Sequence, residues 1–152
     1  MSMYNRRFLD RIDKPGFECT VHYGKDASGR MSFTVETGKD TEHFRDLTAE
    51  EQRKALAWLS YNLIPSEKPL SGHTSYGMKD YLESRTNIYM TNNQFKEAML
   101  LSGFLPVEAD EKNWRFYVLR SSPMFVKQTD GRYGLPMLGD PMDYEEHGVE
   151  AR

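Results

Sequence analysis

Two stretches near the start of the chain alternate apolar and polar residues. In Phe17-Glu18-Cys19-Thr20-Val21-His22-Tyr23, the residues Phe17, Cys19, Val21 and Tyr23 share one face, and residues 31–36 alternate again. A period of two marks a half-buried strand, and residues 24–30 between the runs are rich in turn formers. The pattern predicts a β-hairpin with Cys19 in the core. Ahead of it, residues 4–12 place Phe8, Leu9 and Ile12 on a common side, enough for one or two helical turns.

The period then changes. Thr48-Ala49-Glu50-Glu51 is a capping box, in which the Thr48 hydroxyl accepts the Glu51 amide and the Glu51 side chain reaches back to the cap. The helix that follows carries Gln52, Ala55, Leu56, Leu59 and Leu63 on one stripe, Trp58 widens it, and Pro65 ends it. A second, shorter helix is predicted over residues 75–84, with Met78, Tyr81 and Leu82 inward and Thr74 or Ser75 as its cap. An extended triplet, Ile88-Tyr89-Met90, precedes another capping box, Thr91-Asn92-Asn93-Gln94. The third helix sets Phe95, Ala98, Met99 and Ser102 at helical spacing, with Gly103 as a left-handed terminator and Phe104 as a hydrophobic closer. A loop over 106–113 leads to a predicted strand, 114–119. The last thirty residues hold Pro123, Pro136, Pro141 and four glycines, and read as an irregular segment. These elements predict an α+β fold: hairpin plus long helix over 1–70, a winged-helix-like helix–helix–strand unit over 71–122, and an extended tail over 123–152, all within a single domain.

Composition narrows the possibilities only modestly. With 152 residues, 38% apolar and 12% aromatic, the chain can bury a real core. Cys19 is the sole cysteine, which excludes an internal disulfide framework and a cysteine-based zinc site. There is no run of eighteen apolar residues, and the first residues have no apolar stretch of signal-peptide length, so a soluble protein of a reducing compartment is expected. Net charge is −3, distributed as +2 over 1–30, −2 over 31–70, zero over 71–120 and −3 over 121–152. No basic tract of the kind that dominates nucleic-acid affinity is present. Arg6, Arg7, Arg11 and Lys14 supply the N-terminal excess and could form a solvated helix or a phosphate-contacting arm. The acidic end (Asp140, Asp143, Glu145, Glu146, Glu150) reads as a loose tail or as a contact for a basic partner.

Candidate chemistry is sparse. In a winged-helix unit, the capped helix would turn Asn92, Asn93, Lys96 and Glu97 outward, and asparagine can read adenine in a major groove. One cation and one anion on that face give little phosphate attraction. His22, His43, His73 and His147 are widely spaced, without an HxH or HExxH pattern, and no metal or cofactor is implied. His73 reads as a surface or capping residue. Ser75 and Lys79 put a hydroxyl and an amine one helical turn apart, a spacing common on solvated helix faces. Aromatics are the more useful clue: Trp58, Tyr61, Tyr76, Tyr89, Tyr117, Tyr133 and Tyr144 exceed what the predicted core positions need, and tyrosine and tryptophan are typical interface anchors. The apolar run Arg132-Tyr133-Gly134-Leu135-Pro136-Met137-Leu138-Gly139 is either wrapped over the core or a partner-binding arm.

Part of the chain resembles a known group. Asn62-Leu63-Ile64-Pro65, His73-Thr74-Ser75-Tyr76-Gly77-Met78-Lys79, the run from Ile88 to Leu100, Gly103-Phe104 and Asn113-Trp114 are similar to a family of small uncharacterised proteins carried by phages and integrative elements of Firmicutes. The similarity covers about 60–120 and extends weakly to Ser122-Pro123. The family pattern has a histidine after the SYG-K lysine, where this chain has Asp80, and often Asn-Gly where it has Asn92-Asn93. The resemblance implies work in a bacterial host cytoplasm: regulating the element, aiding its replication or transfer, or disarming host defence as anti-CRISPR proteins do. Two functions are therefore carried forward. The first is a non-enzymatic inhibitor that binds a host effector nuclease or its guide complex through Tyr76, Lys79, Tyr89, Asn92, Asn93, Lys96, Tyr133 and Leu135. The second is a winged-helix regulator binding double-stranded DNA. A hydrolase built on Ser75 and Lys79 stands far behind.

Overall fold

Alternation in the first strand becomes a two-stranded antiparallel sheet. In the computed structural model, which describes residues 4–13, 16 and 18–137, β1 spans Cys19–Lys25 and β2 spans Met31–Thr37, with Cys19 opposite Thr37 and Lys25 opposite Met31. Asp26 builds the turn: its Oδ1 accepts from the amides of Ser28 and Arg30 at 2.9 and 3.0 Å. Cys19, Val21, Phe33 and Val35 face the core as expected. The ladder runs two residues further outward than the alternation suggests, so Tyr23, expected on the buried face, is exposed near the hairpin tip. Phe17 lies outside the described residues.

Helix α1 (Arg6–Ile12) precedes the hairpin and buries Phe8 and Ile12. Helix α2 (Ala49–Asn62) starts at the Thr48 capping box with both reciprocal bonds made, and buries Ala55, Trp58, Leu59 and Asn62. Helix α3 spans Ser75–Thr86 and helix α4 spans Asn92–Leu101. The end of α4 follows the expectation closely. Gly103 has φ 85°, its amide donates to Leu100 O and the Phe104 amide donates to Met99 O, which satisfies two of the orphan carbonyls of the last turn. Among the described residues, four α-helices and one hairpin make the α+β fold.

Helix α4 is the centre of the packing. It contacts β2, α2, α3 and a short 3₁₀ turn, Phe44–Asp46, and every residue from Asn93 to Leu100 is buried. Phe95, Ala98, Met99, Leu100 and Leu101 are spread around the axis, and the polar residues between them, Asn93, Gln94, Lys96 and Glu97, are buried because they hydrogen-bond to the elements packed on the helix. The strand predicted over 114–119 is extended but forms only isolated bridges, Pro106 with Phe116 and Pro65 with Val118. In both bridges the bonds are made by the residues flanking the proline: Ser66 N to Tyr117 O and Leu119 N to Ile64 O, and Val107 N to Arg115 O and Tyr117 N to Leu105 O. Trp114, Phe116 and Val118 are nonetheless fully buried.

Residues 126–137 form a strap across α2 and α3. Trp58 Nε1 donates to Leu135 O at 2.8 Å, and the Leu135 amide donates to Asn62 Oδ1 at 2.7 Å. Gly134 makes this approach possible: it has φ 85°, and a Cβ there would stand 2.7 Å from Trp58 Cζ2.

Candidate functional site

Helix α3 positions the one cluster that the site expectations share with the solvent. Its buried residues Ser75, Met78, Leu82 and Arg85 form a single stripe. The start is pinned to the extended segment: the Ser75 amide donates to Trp114 O at 2.7 Å, and the Trp114 amide donates to Ser75 Oγ at 3.0 Å. Tyr76, next along, is therefore turned outward and is 61% exposed. The helix ends at Asn87, left-handed at φ 61°, with its amide on Glu83 O. The reversed chain then runs extended through Ile88-Tyr89-Met90. Ile88 and Met90 are buried, so alternation leaves Tyr89 outside, 63% exposed. Lys79 reaches between the two rings, with Nζ at 5.2 Å from the Tyr76 centroid and 5.7 Å from that of Tyr89. The ammonium also lies 3.4 Å from Asp80 Oδ1, and the lysine side chain is only 13% exposed. Tyr76, Lys79 and Tyr89 thus come together.

Helix α4 contributes no binding face, which corrects the expectation for Asn92, Asn93, Lys96 and Glu97. Asn92 Nδ2 donates to Lys112 O and Asn113 Oδ1, and Asn93 is fully buried with Nδ2 on Asp40 O. Lys96 is also fully buried. Its Nζ reaches Lys112 O at 2.5 Å and Thr37 Oγ1 at 3.1 Å, with Glu111 O and Cys19 Sγ further off, and it lies 4.9 Å from the Trp114 ring centroid. The carboxylate of Glu97, 1% exposed, accepts from the amides of Val35 and Phe44 and pairs with His43 Nδ1 at 2.7 Å. Asn93, Lys96 and Glu97 are enclosed because they satisfy polar groups of elements packed on the helix, so they are not free to meet bases or phosphates, whereas Asn92 is half-buried and tied to the 112–113 loop.

Burial of Lys96 holds its amine below the ordinary value of 10.5 through loss of hydration, which outweighs the opposing pull of Cys19, Asp40 and Glu18. Between the folded value and 10.5, the unfolded chain holds the extra proton, so this residue makes stability rise with pH. Tyr4 acts oppositely. Its hydroxyl donates to Leu100 O and Leu101 O, and burial pushes its pKa from 10.0 to about 12. That contribution is intact below 10 and is lost as pH climbs toward 12. Urea midpoints measured across the alkaline range are expected to rise and then fall. Lys96→Met flattens the rising limb and Tyr4→Phe the falling one; an unchanged profile in both variants contradicts this account.

The C-terminal run is wrapped over the core rather than held out as an arm. Leu135 is half-buried and tied through its backbone to Trp58 and Asn62, so it belongs to the strap and not to a free arm. Tyr133 is 38% exposed but stacks on Tyr81 at 5.0 Å. Trp58, read as spare, is completely buried. Tyr117 accepts from Arg11 at 2.8 Å, so Arg11 is a structural group rather than a phosphate arm. His73 stacks on Phe125 at 4.2 Å, and burial, helped by Arg120, keeps its imidazole below its ordinary pKa. Tyr144, Leu138, Gly139, Lys14 and the acidic residues from Asp140 to Glu150 lie outside the described residues.

Sequence reasoning missed the Glu97–His43 pair and the guanidinium of Arg85, which is bidentate to Asp130 at 2.6 and 3.0 Å. Nothing local marked Glu97, whose partners Val35, His43 and Phe44 lie more than fifty residues away along the chain. Arg85 follows Leu82 by three residues and so falls on the inward stripe. Among the described residues, no group of three or more His, Cys, Asp or Glu side chains is placed to hold a metal ion, and no helix is long and apolar enough to cross a membrane. No family model, curated protein or solved structure matches the chain.

Proposed function

We propose that this protein is a non-enzymatic product of a mobile genetic element that docks onto a host defence effector nuclease, or its guide complex, in the bacterial cytoplasm and inhibits it as anti-CRISPR proteins do. The observation that carries the reading is the pair Tyr76 and Tyr89, each more than 60% exposed and held on either side of Lys79. Large aromatic rings held rigidly at a surface are the usual anchors of protein interfaces, where each contributes about 2 kcal/mol or more. The commitments of the neighbouring polar groups support docking over hydrolysis: Ser75 is fully buried with its Oγ occupied by the Trp114 amide, and Lys79 is turned to the rings. They also favour docking over DNA reading, because Asn93 and Lys96 are spent inside the fold. The resemblance to phage and integrative-element proteins supplies the biological setting.

The test is a pull-down against CRISPR effector nucleases combined with a cleavage assay. Capture and inhibition by the native chain are expected. Each of Tyr76→Ala and Tyr89→Ala should weaken capture by about thirtyfold or more while leaving the urea midpoint in place. Undisturbed cleavage across the effectors tested, or inhibition insensitive to both substitutions, removes the reading.

A further inference from the structure

The chemistry of the partner can be read from which charges the tyrosine face leaves in solution. Between Ser75 and Leu101 the chain has three cations, Lys79, Arg85 and Lys96. Lys96 is inside the core, and Arg85 is buried against Asp130. Lys79 is covered by two rings and neutralised by Asp80. The anions of the same segment are Asp80, Glu83 and Glu97, of which only Glu97 is fully enclosed. The Asp80 side chain is 59% exposed, and Glu83 is half-buried with no ion-pair partner among the described residues. Tyr76, Asp80 and Glu83 stand at i, i+4 and i+7, one stripe of α3. The outer surface of this segment therefore combines aromatic rings with two carboxylates, Asp80 shared with the largely covered Lys79 and Glu83 without an ion-pair partner among the described residues, while Arg132 of the strap lies at its edge with Nη1 on Ser84 O and Nε 3.7 Å from Asp130.

A phosphate backbone is repelled by such a surface, since nucleic-acid affinity rests on counterion release by exposed lysine and arginine. A guanidinium matches it on both counts. Its plane stacks on a tyrosine ring, and its fork of donors meets a carboxylate. Resting on the docking reading above, we infer that the face made by Tyr76, Tyr89, Asp80 and Glu83 receives arginine side chains of a protein partner, so that the partner presents an arginine-rich surface. An ammonium is a poorer fit, because it is more strongly hydrated and has no planar face to stack.

The experiment is a titration of the full chain, followed by amide NMR and anisotropy, with three labelled probes: an oligo-arginine peptide, an oligo-lysine peptide of equal length, and single-stranded DNA. The arginine peptide is expected to bind more tightly than the lysine peptide and to shift the amides of Tyr76, Asp80, Glu83 and Tyr89. The double variant Asp80→Asn/Glu83→Gln should lower that affinity roughly tenfold, two exposed charge pairs at up to about 1 kcal/mol each. Both changes are isosteric and face solvent, and a retained far-UV spectrum verifies the fold. Equal binding of the two peptides overturns the inference, as do shifts confined to the acidic run beyond Met137, or DNA occupying the tyrosine face. If the arginine peptide docks as described while nuclease cleavage proceeds undisturbed, this inference stands and only the choice of an effector nuclease as partner falls.

Discussion

Glu97→Ala is expected to remove about 3 kcal/mol or more of folding stability, because it takes the acceptor from two buried backbone amides and the partner from His43 Nδ1, at about 1–3 kcal/mol for each buried donor left unsatisfied. Domains of this kind are stable by roughly 5–15 kcal/mol, so the variant stands near the edge of folding. The cost follows from what the carboxylate holds. Oε2 accepts the Val35 amide at 2.8 Å and faces His43 Nδ1 at 2.7 Å, while Oε1 accepts the Phe44 amide at 2.7 Å. Val35 belongs to the hairpin and Phe44 to the 3₁₀ turn, so one side chain fastens two separate elements onto α4. Truncation leaves buried backbone donors without acceptors, and each such donor costs about 1–3 kcal/mol when water cannot reach it.

Glu97→Gln separates shape from chemistry. An amide has one acceptor oxygen, so whichever way it is turned, its NH₂ faces either the Phe44 amide or the Val35 amide. The glutamine variant is therefore expected between wild type and alanine in urea midpoint. A glutamine variant as stable as wild type would mean that the carboxylate contributes only volume. Loss of the hairpin's amide protection in hydrogen exchange should accompany the alanine substitution, because the Val35 anchor lies in β2.

Signals that act within a few residues were legible. The alternation of the hairpin, the capping boxes at Thr48 and Thr91, and the Gly103-Phe104 terminator each bind partners close along the chain, and each appears where the residue types place it. Tyr76 and Tyr89 were legible as surplus aromatics for the same reason: one follows a pinned helix start, the other sits mid-way in an apolar triplet. What failed was assigning a solvent face to α4. The groups that cover Asn93, Lys96 and Glu97 come from Cys19 and from residues 35–44 and 111–114, and a polar side chain facing such distant partners looks identical in sequence to one facing water. Trp58 was misjudged similarly, since its cover, Gly134 and Leu135, arrives from the far end of the chain. Of the residues named for the site, Tyr76, Lys79 and Tyr89 lie together, while Asn93 and Lys96 are enclosed by partners that the local pattern does not reveal.

Arg85→Ala is expected to release the strap over α2 and α3, at a cost of about 3 kcal/mol, the lower end for a buried pair because Asp130 is partly exposed and hydrates once freed. The arginine is 1% exposed in its side chain and uses its fork fully: two bonds to Asp130, one from Nη2 to Arg132 O at 3.2 Å, and one from Nε to Tyr133 O at 3.3 Å. These bonds set the turn that brings Gly134 and Leu135 down on Trp58. The strap's loss should therefore appear as a change in Trp58 fluorescence and as faster tryptic cleavage after Lys127 and Arg132. Arg85→Lys keeps the charge but replaces the planar fork by a single ammonium, so it cannot hold the carboxylate and both carbonyls together, and an intermediate effect is expected. The acid response gives an independent check. The bond from Arg85 and the Arg132 amide hold Asp130 at about 2, against an ordinary 3.8. Its contribution is complete above 3.8 and disappears as pH falls toward 2. Wild type should show that acid-dependent loosening of the strap, and Arg85→Ala should show less of it, since only the Arg132 contribution remains. Identical acid profiles, or unchanged Trp58 emission in the alanine variant, would place the anchoring of the strap elsewhere, in the Trp58–Leu135–Asn62 bonds alone.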